Sequence, residues 1–448
     1  MMKKLTRSEF TQVSVMLFGL FFGAGNLIFP PLLGNQAGNH TWLALASFAV
    51  TAVLFPVLGA ILVGKTDGLS NLSSRVGAVF ALLFTTAIYL SIGPGLGIPR
   101  AGSVPFELAI APLLPETISI NLARFVYTLC FFSLALWICL KPNRLVARVG
   151  KYLTPTLLVM ILVLFVRFFF LSPQVAPATG DYQTAPVAKG FLSGYDTMDA
   201  VAALNFGYVI ALAIKRFGIT NKEERTRYTV KAGLVAGALL LTVYAMLSYI
   251  GMASSALFPG AENGAEVLSQ SVQLVFGSSG LYLLAAIFTL ACLTTCVGLI
   301  TSGGEYFHML FKEKLSYKTW VLIWTFFSFV MANFGLNTLL ASSVPLLTLI
   351  YPVALVLIVL GMTQELFSYS RLSYQVAAFL SLALPLVDIL DRSFNLHLGY
   401  ITEFERSLPL ASQGLSWVLP TVLGVLVTSL VSKAYEKYRQ DDQVAQEA

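Results

Sequence analysis

Gly23-Ala24-Gly25-Asn26-Leu27-Ile28-Phe29-Pro30-Pro31 is the stretch whose reading decides the fold. It lies inside the first long apolar segment, about residues 13–33. A helix in lipid must satisfy its backbone hydrogen bonds internally, because no water replaces a missing partner. Here two glycines, an asparagine and two prolines interrupt the run. Glycine frees the backbone, and proline removes a donor and crowds the preceding turn. Such a break is tolerated at membrane depth only where protein or a polar cavity surrounds it. The stretch therefore reads as two half-helices with an unwound joint. Carbonyls end one half and amides open the next, which suits a zwitterion and a cation.

Composition agrees. Of 448 residues, 57% are hydrophobic and 11% charged, with mean hydropathy +0.78; soluble domains carry roughly a quarter charged residues. This is the composition of a polytopic membrane protein. Lys3, Lys4 and Arg7 precede the first apolar run as in a signal peptide, but no small-residue cleavage site follows and the run has full span length. It reads as the first transmembrane helix. Cys130, Cys139, Cys292 and Cys296 all fall in apolar spans with no accompanying His or acid, and read as packing residues. Gly59-Ala60-Ile61-Leu62-Val63-Gly64-Lys65-Thr66 has the spacing Gly-x-x-x-x-Gly-Lys-Thr, but it ends an apolar membrane segment and does not follow a strand as a phosphate-binding loop does, so it does not point to ATP as the driver. The net charge of +6 follows membrane topology and is no nucleic-acid signal.

Segments of about 20 apolar residues, the length that crosses a bilayer, fall near 13–33, 42–63, 77–98, 120–140, 152–171, 188–214, 229–251, 280–302, 319–334, 338–361, 372–390 and 410–432. That predicts twelve spans in a single transmembrane domain. With the N-terminus inside, all Lys and Arg except Arg100, Arg124, Arg167, Lys189, Arg392 and Arg406 fall on the inner side. Positive charge is retained on the cytoplasmic face, so both termini are expected there. The longer outer connections are expected at 99–119, 172–187, 252–279 and 391–409, with a surface helix over Ala265–Phe276.

Span six holds a second interruption, Gly194-Tyr195-Asp196-Thr197-Met198-Asp199-Ala200. A carboxylate at the centre of a membrane helix costs roughly 2.5–3.5 kcal/mol and needs a cavity, a partner or a proton. Spans one and six open two sets of five that run in opposite directions. Matched interruptions in two halves point to an inverted-repeat transporter with its site between them. The repeats would occupy 1–171 and 172–361, with two additional helices and a cytoplasmic tail in 362–448. Asp196 and Asp199 read either as coupling groups or as hydrated residues at the outer mouth. Gly93-Pro94-Gly95-Leu96-Gly97-Ile98-Pro99 in span three reads as a plain kink or helix end. In span eight, Thr294 and Thr295 follow Ala291; their hydroxyls either bond back to their own helix or offer hard oxygens to a small cation. Glu305 and His308 are interfacial, and His40 and His397 fall in outer loops, which argues against a histidine proton relay.

The two interrupted stretches, with the continuation Ala200-Val201-Ala202-Ala203-Leu204, resemble the branched-chain amino acid:cation symporter family across essentially the whole chain. More distantly, Gly23-Ala24-Gly25-Asn26 with Phe29-Pro30 is similar to the first helix of the leucine-transporter fold. The resemblance implies an all-α protein with a five-plus-five inverted repeat, broken helices one and six, and two extra helices. The basic residue that precedes the aromatic in the neurotransmitter branch is replaced by Ile28, so that branch's outer gate ion pair is not expected. The resemblance implies that amides at Ala24 and Gly25 hold a substrate carboxylate and that Asn26 contacts substrate or cation. It also implies that the Gly19 and Phe22 carbonyls join Ala291, Thr294 and Thr295 in a sodium site. Phe22, Tyr89, Gly194, Tyr195, Thr197 and Met198 complete the expected substrate pocket; Asn26, Asp196 and Asp199 are the candidates for cation or proton coupling. The implied activity is import of leucine, isoleucine and valine across a bacterial cytoplasmic membrane, with Na+ or H+ co-transported and no other cofactor, no nucleotide and no nucleic acid. A symporter of another amino acid or a purine, a channel, and an intramembrane enzyme are the alternatives; the asymmetric breaks oppose a channel, and the absence of a Gly-x-Gly-Asp motif opposes an aspartyl enzyme.

Overall fold

A computed structural model describes residues 4–447 except 116, 142, 143, 395 and 397; the side chains of 336–344, 392–394 and 436–447 are also outside the description. Lys3 and His397 therefore lie outside the described residues. Every regular element among the described residues is helical. In chain order the main helices are α1 (Arg7–Phe21), α2 (Ala24–Ala37), α3 (Thr41–Ala49), α4 (Phe55–Thr66), α5 (Ala78–Leu90), α6 (Gly97–Pro105), α7 (Ile120–Cys139), α8 (Thr154–Phe169) and α9 (Pro186–Tyr195). They continue with α10 (Asp199–Arg216), α11 (Lys222–Ala253), α12 (Gly264–Phe276), α13 (Gly280–Leu310), α14 (Tyr317–Ala332), α15 (Leu336–Phe367), α16 (Arg371–Phe394) and α17 (Val418–Glu447). Among the described residues, nine helical runs are long and apolar enough to cross a bilayer, or ten when α9 and α10, bent by 45°, count as one span. At 16 residues α14 is apolar but shorter than these runs. The protein is a multi-pass membrane protein.

Both interruptions are present, and the first is narrower than the sequence suggests. α1 ends as Phe22 turns extended (φ −79°, ψ 91°), and α2 starts directly after Gly23. Pro30 and Pro31 are inside α2, not in the joint. Neither can donate to the helix, so the carbonyls of Asn26 and Leu27 lose their usual donors. The second interruption is Asp196-Thr197-Met198, where Met198 takes a left-handed conformation (φ 57°) that turns α9 into α10.

Span three departs from expectation. Its helix passes through a π-helical turn at Ser91–Gly95, leaves helical angles at Gly93 (φ −75°, ψ −121°), and resumes as α6 after Leu96 (φ −145°, ψ −53°). The kink or helix end read there is a kink, within one continuous apolar run, Ala78–Leu113. Pro94 removes a donor inside the turn, and a Cβ on Gly97 would lie 1.9 Å from the Ile92 carbonyl oxygen, so only glycine admits the path. Residues 99–119, expected as an outer loop, are helical as far as Leu113, and Arg100 belongs to the membrane-spanning run Ala78–Leu113. The outer helix expected at Ala265–Phe276 is found as α12.

The chain forms two compact units: residues 1–68 with 89–341, and residues 69–88 with 342–448. In the first, α2 packs on α11, α4 on α10 and α3 on α9. Small residues allow these helices close approach, the usual interface in membranes. A Cβ on Gly34 would stand 2.0 Å from the Ser248 carbonyl, and one on Gly251 2.0 Å from the Pro31 carbonyl. In the second unit α16 and α17 are joined by hydroxyls: Ser432 to Ser370 at 2.8 Å and Thr428 to Ser373 at 3.1 Å. There Arg75 donates to the Tyr374 hydroxyl at 2.7 Å, which donates to Gln364 at 3.0 Å.

Candidate substrate and cation site

The two breaks meet. A Cβ on Gly25 would lie 3.9 Å from Thr197 Cα, so the start of α2 faces the unwound turn between α9 and α10. Asn26 fastens them. Its Oδ1 accepts the Gly23 N–H at 2.8 Å, and its Nδ2 donates to Asp199 Oδ2 at 2.5 Å and to the Tyr244 hydroxyl of α11. Tyr244 in turn donates to Asp199 Oδ2 at 3.5 Å. Thr197 Oγ1 donates to the Gly194 carbonyl at 2.8 Å and accepts from Asp199 N at 3.5 Å. Asp199 is buried at the first position of α10, where free amides and the helix dipole favour negative charge.

The same Asn26 contact prepares the end of α1. Were α1 to continue, the Gly23 N–H would go to the Gly19 carbonyl; it goes to Asn26 instead. Beside this end lie two buried hydroxyls with no hydrogen-bond partner, Thr295 Oγ1 and Thr154 Oγ1. A Cβ on Gly23 would meet Thr295 Oγ1 at 3.0 Å, and one on Gly19 would meet Thr154 Oγ1 at 2.1 Å. An orphaned buried hydroxyl is costly, and hard oxygens beside freed carbonyls are the donor set of a small hard cation. Thr294 Oγ1 donates to the Ala291 carbonyl at 2.9 Å, the back-bond that membrane threonines favour. Thr294 is thus satisfied within its own helix, whereas Thr295 and Thr154 abut the end of α1 directly.

Other expected residues sort differently. The Phe22 ring is buried between Phe18 and Tyr244, with ring centroids 5.2 and 6.4 Å away, so its backbone rather than its ring belongs to the break. Gly194 is where α9 touches α3: a Cβ would lie 2.2 Å from Thr51 Oγ1. Tyr89 stacks on Tyr306 of α13 at 4.2 Å. Tyr195 is buried and Met198 half-buried at the turn. Asp196 is exposed and takes no part in the Asn26–Asp199–Tyr244 network. The Ala24 N–H faces the Cys292 sulfur, a weak acceptor, and Gly25 stays half-exposed beside it. Sequence reading missed Tyr244 and Thr154. A hydroxyl-bearing residue opposite a break is a signal that only a helix-pairing scheme turns into a contact.

A cavity of ≈ 360 Å³ opens between α1, α10 and α13, lined by Gln12, Tyr208, Leu212, Arg216, Thr301 and Glu305 among others. Arg216 and Glu305 pair across it at 3.0 Å.

The family described as branched-chain amino acid transport protein matches residues 6–435. The chain belongs to that family. Among relatives of this transport family, the Bacillus subtilis branched-chain amino acid permease BraB is 41% identical, the match covering 93% of each chain. A Pseudomonas aeruginosa branched-chain amino acid transport system 2 carrier protein is 39% identical over 98% of this chain and 99% of that one. The Escherichia coli permease BrnQ is 38% identical over 97% and 98%. Among solved structures, the nucleobase-cation-symport-1 family transporter Mhp1, in a closed conformation with bromovinylhydantoin bound, gives a TM-score of 0.55 at 13% identity, covering 96% of this chain and 93% of that one. An Eremococcus coleocola manganese transporter gives 0.52 at 14%, covering 96% and 97%. At such identities the likeness is one of fold, and that fold is leucine-transporter-like. As a member of a transport family, the chain is a membrane transporter and not an enzyme.

Proposed function

We propose that the protein is a secondary symporter that imports leucine, isoleucine and valine, driven by an inward Na+ or H+ gradient through alternating access. The observation that carries the reading is the meeting of the two breaks, with Gly25 against Thr197 and Asn26 bonded to Asp199, in a chain of this family. The names of the relatives supply the substrate class. In this reading the chain has twelve spans: two inverted sets of five, then two more. It sits in the bacterial cytoplasmic membrane with both termini inside. Amides opening α2 take the substrate carboxylate; the Asn26, Thr197 and Asp199 region takes its ammonium. The aliphatic chain lies against apolar residues, where one methylene is worth only about 1–3 kcal/mol, so the three substrates compete.

For the coupling ion, the orphaned hydroxyls of Thr295 and Thr154 beside the freed Gly19 carbonyl favour sodium. The buried Asp199 favours a proton as the second reading. The cavity at the Arg216–Glu305 pair is then the cytoplasmic vestibule. The test is radiolabelled leucine uptake into proteoliposomes under an imposed sodium gradient or an imposed proton gradient, with valine and isoleucine as competitors. Sodium-driven uptake is expected. Thr295→Ala should raise the sodium needed for half-maximal uptake by about tenfold or more, the scale of one lost polar partner. Proton-driven uptake without sodium would transfer the coupling to Asp199, and absence of leucine uptake under both gradients would reject the branched-chain reading.

A further inference from the structure

Among the basic residues expected on the outer side, most have evident partners. Arg124 pairs with Glu107 at 2.8 Å, Lys189 with Asp181 at 3.5 Å, and Arg406 with Asp391. Arg167 lies 6.0 Å from the Phe276 ring centroid. Arg392 has a side chain outside the description. Arg100 differs: it stands in a membrane-spanning run, and among the described residues its guanidinium has neither an ion-pair nor a hydrogen-bond partner. A half-buried guanidinium without a protein partner is costly and calls for one.

Its position is set by the kink at Gly93. α6 begins at Gly97, immediately after the kink, and Arg100 is in its first turn. Every other residue of α6 except Gly97 is buried; Gly97 and Arg100, three apart, share the face that keeps partial exposure. The remaining faces are occupied: Gly102 touches Phe132 of α7, and Ser103 Oγ donates to the Ala332 carbonyl of α14 at 3.1 Å. Arg100 stands about 200° around the helix from Gly102. α6 packs against α13, which carries Cys292, and meets α2, and Cys292 and Asp199 are within electrostatic reach of the Arg100 guanidinium. Cys292 is the residue faced by the Ala24 N–H at the start of α2. Asp199 already has Asn26, Tyr244 and the start of α10 as compensation. A guanidinium with five donors and no acceptor beside the opening amides of a helix is the complement of a carboxylate.

We infer that Arg100 binds the carboxylate of the transported amino acid, completing from α6 the anion site opened by the amides of α2. The inference rests on the reading of the protein as an amino acid importer.

The test uses the purified full-length chain in proteoliposomes. Leucine uptake is measured with leucine, leucinamide and leucinol as competitors; the last two keep the ammonium and side chain but lack the carboxylate. In the wild type, leucine should compete far better than either analogue. Arg100→Gln should raise the leucine KM by roughly 10–100-fold, the scale of a lost charge-assisted bond, and bring the three competitors close together. Arg100→Lys should restore part of the discrimination. On the wild-type protein itself, leucine but not leucinol should protect Arg100 from phenylglyoxal, read by peptide mass spectrometry. Undiminished preference for leucine over leucinol in Arg100→Gln, or equal protection of Arg100 by the two ligands, overturns the inference while leaving branched-chain transport intact. A wild type that ignores leucine altogether overturns the functional reading and this inference with it.

Discussion

Both ends of the Asn26 side-chain amide are engaged, and no other side chain could replace it without loss. Its oxygen takes the Gly23 N–H and so releases the Gly19 carbonyl; its nitrogen reaches Asp199 and Tyr244. Asn26→Asp keeps the size and the acceptor but turns an oxygen toward the Asp199 carboxylate. The expected result is a leucine uptake rate reduced by more than about tenfold at normal membrane abundance, since a hydrogen bond to a charged group is worth ~1.5–3 kcal/mol. Asp196→Asn, at an exposed residue outside the network, should stay within about threefold, because exposed charges contribute little. Initial uptake rates normalised to protein in vesicles check both. The two aspartates were indistinguishable in the sequence, each an acid in an apolar run. What separates them is that Asp199 opens α10 and faces α2, whereas Asp196 precedes the left-handed Met198 and turns away.

At the scale of elements, glycines do two jobs that look alike in sequence. Gly23 permits a break and Gly97 a kink, whereas Gly34 and Gly251 let α2 and α11 touch backbone to backbone. Gly251→Ala would place a methyl group 2.0 Å from the Pro31 carbonyl. It should destabilise the protein by on the order of 1–3 kcal/mol, the scale of overpacking. Gly233→Ala in the same helix meets Ile61 and Val57 only at 3.4 Å and should be tolerated. Thermal unfolding of the detergent-solubilised variants, followed by size-exclusion chromatography, distinguishes the two. The prolines teach the same lesson. Pro30 and Pro31 suggest a wide joint, yet both lie inside α2, because a helix whose proline-freed carbonyls are surrounded by protein stays helical. Gly93–Pro99 suggests a kink or helix end, and the structure makes it a kink after which the helix continues through Arg100.

At the scale of the whole molecule, the Arg216–Glu305 pair spans the cavity formed by α1, α10 and α13. The two side chains are 31% and 16% exposed, so the pair is worth about 1 kcal/mol at most. A pair of that strength opens readily with thermal motion. Glu305→Gln should alter leucine uptake by less than about fivefold, and it should increase thiol labelling of Leu212→Cys in a Cys130→Ser background, since Cys130 is exposed whereas Cys139, Cys292 and Cys296 are buried. The sequence alone determined the membrane class, the apolar segments, the short helix at Gly264–Phe276 and the two interruptions, because hydropathy and backbone breakers act locally along the chain. Which of the marked residues meet depended on tertiary structure. The pairing of Asn26 with Asp199 and Tyr244, the placing of Thr154 beside Gly19, the exclusion of Tyr89 to Tyr306 and the turning of Arg100 inward all depend on helices far apart in sequence packing face to face. Membrane helices choose those faces by small-residue fit and buried polar contacts, and neither is encoded in any one segment.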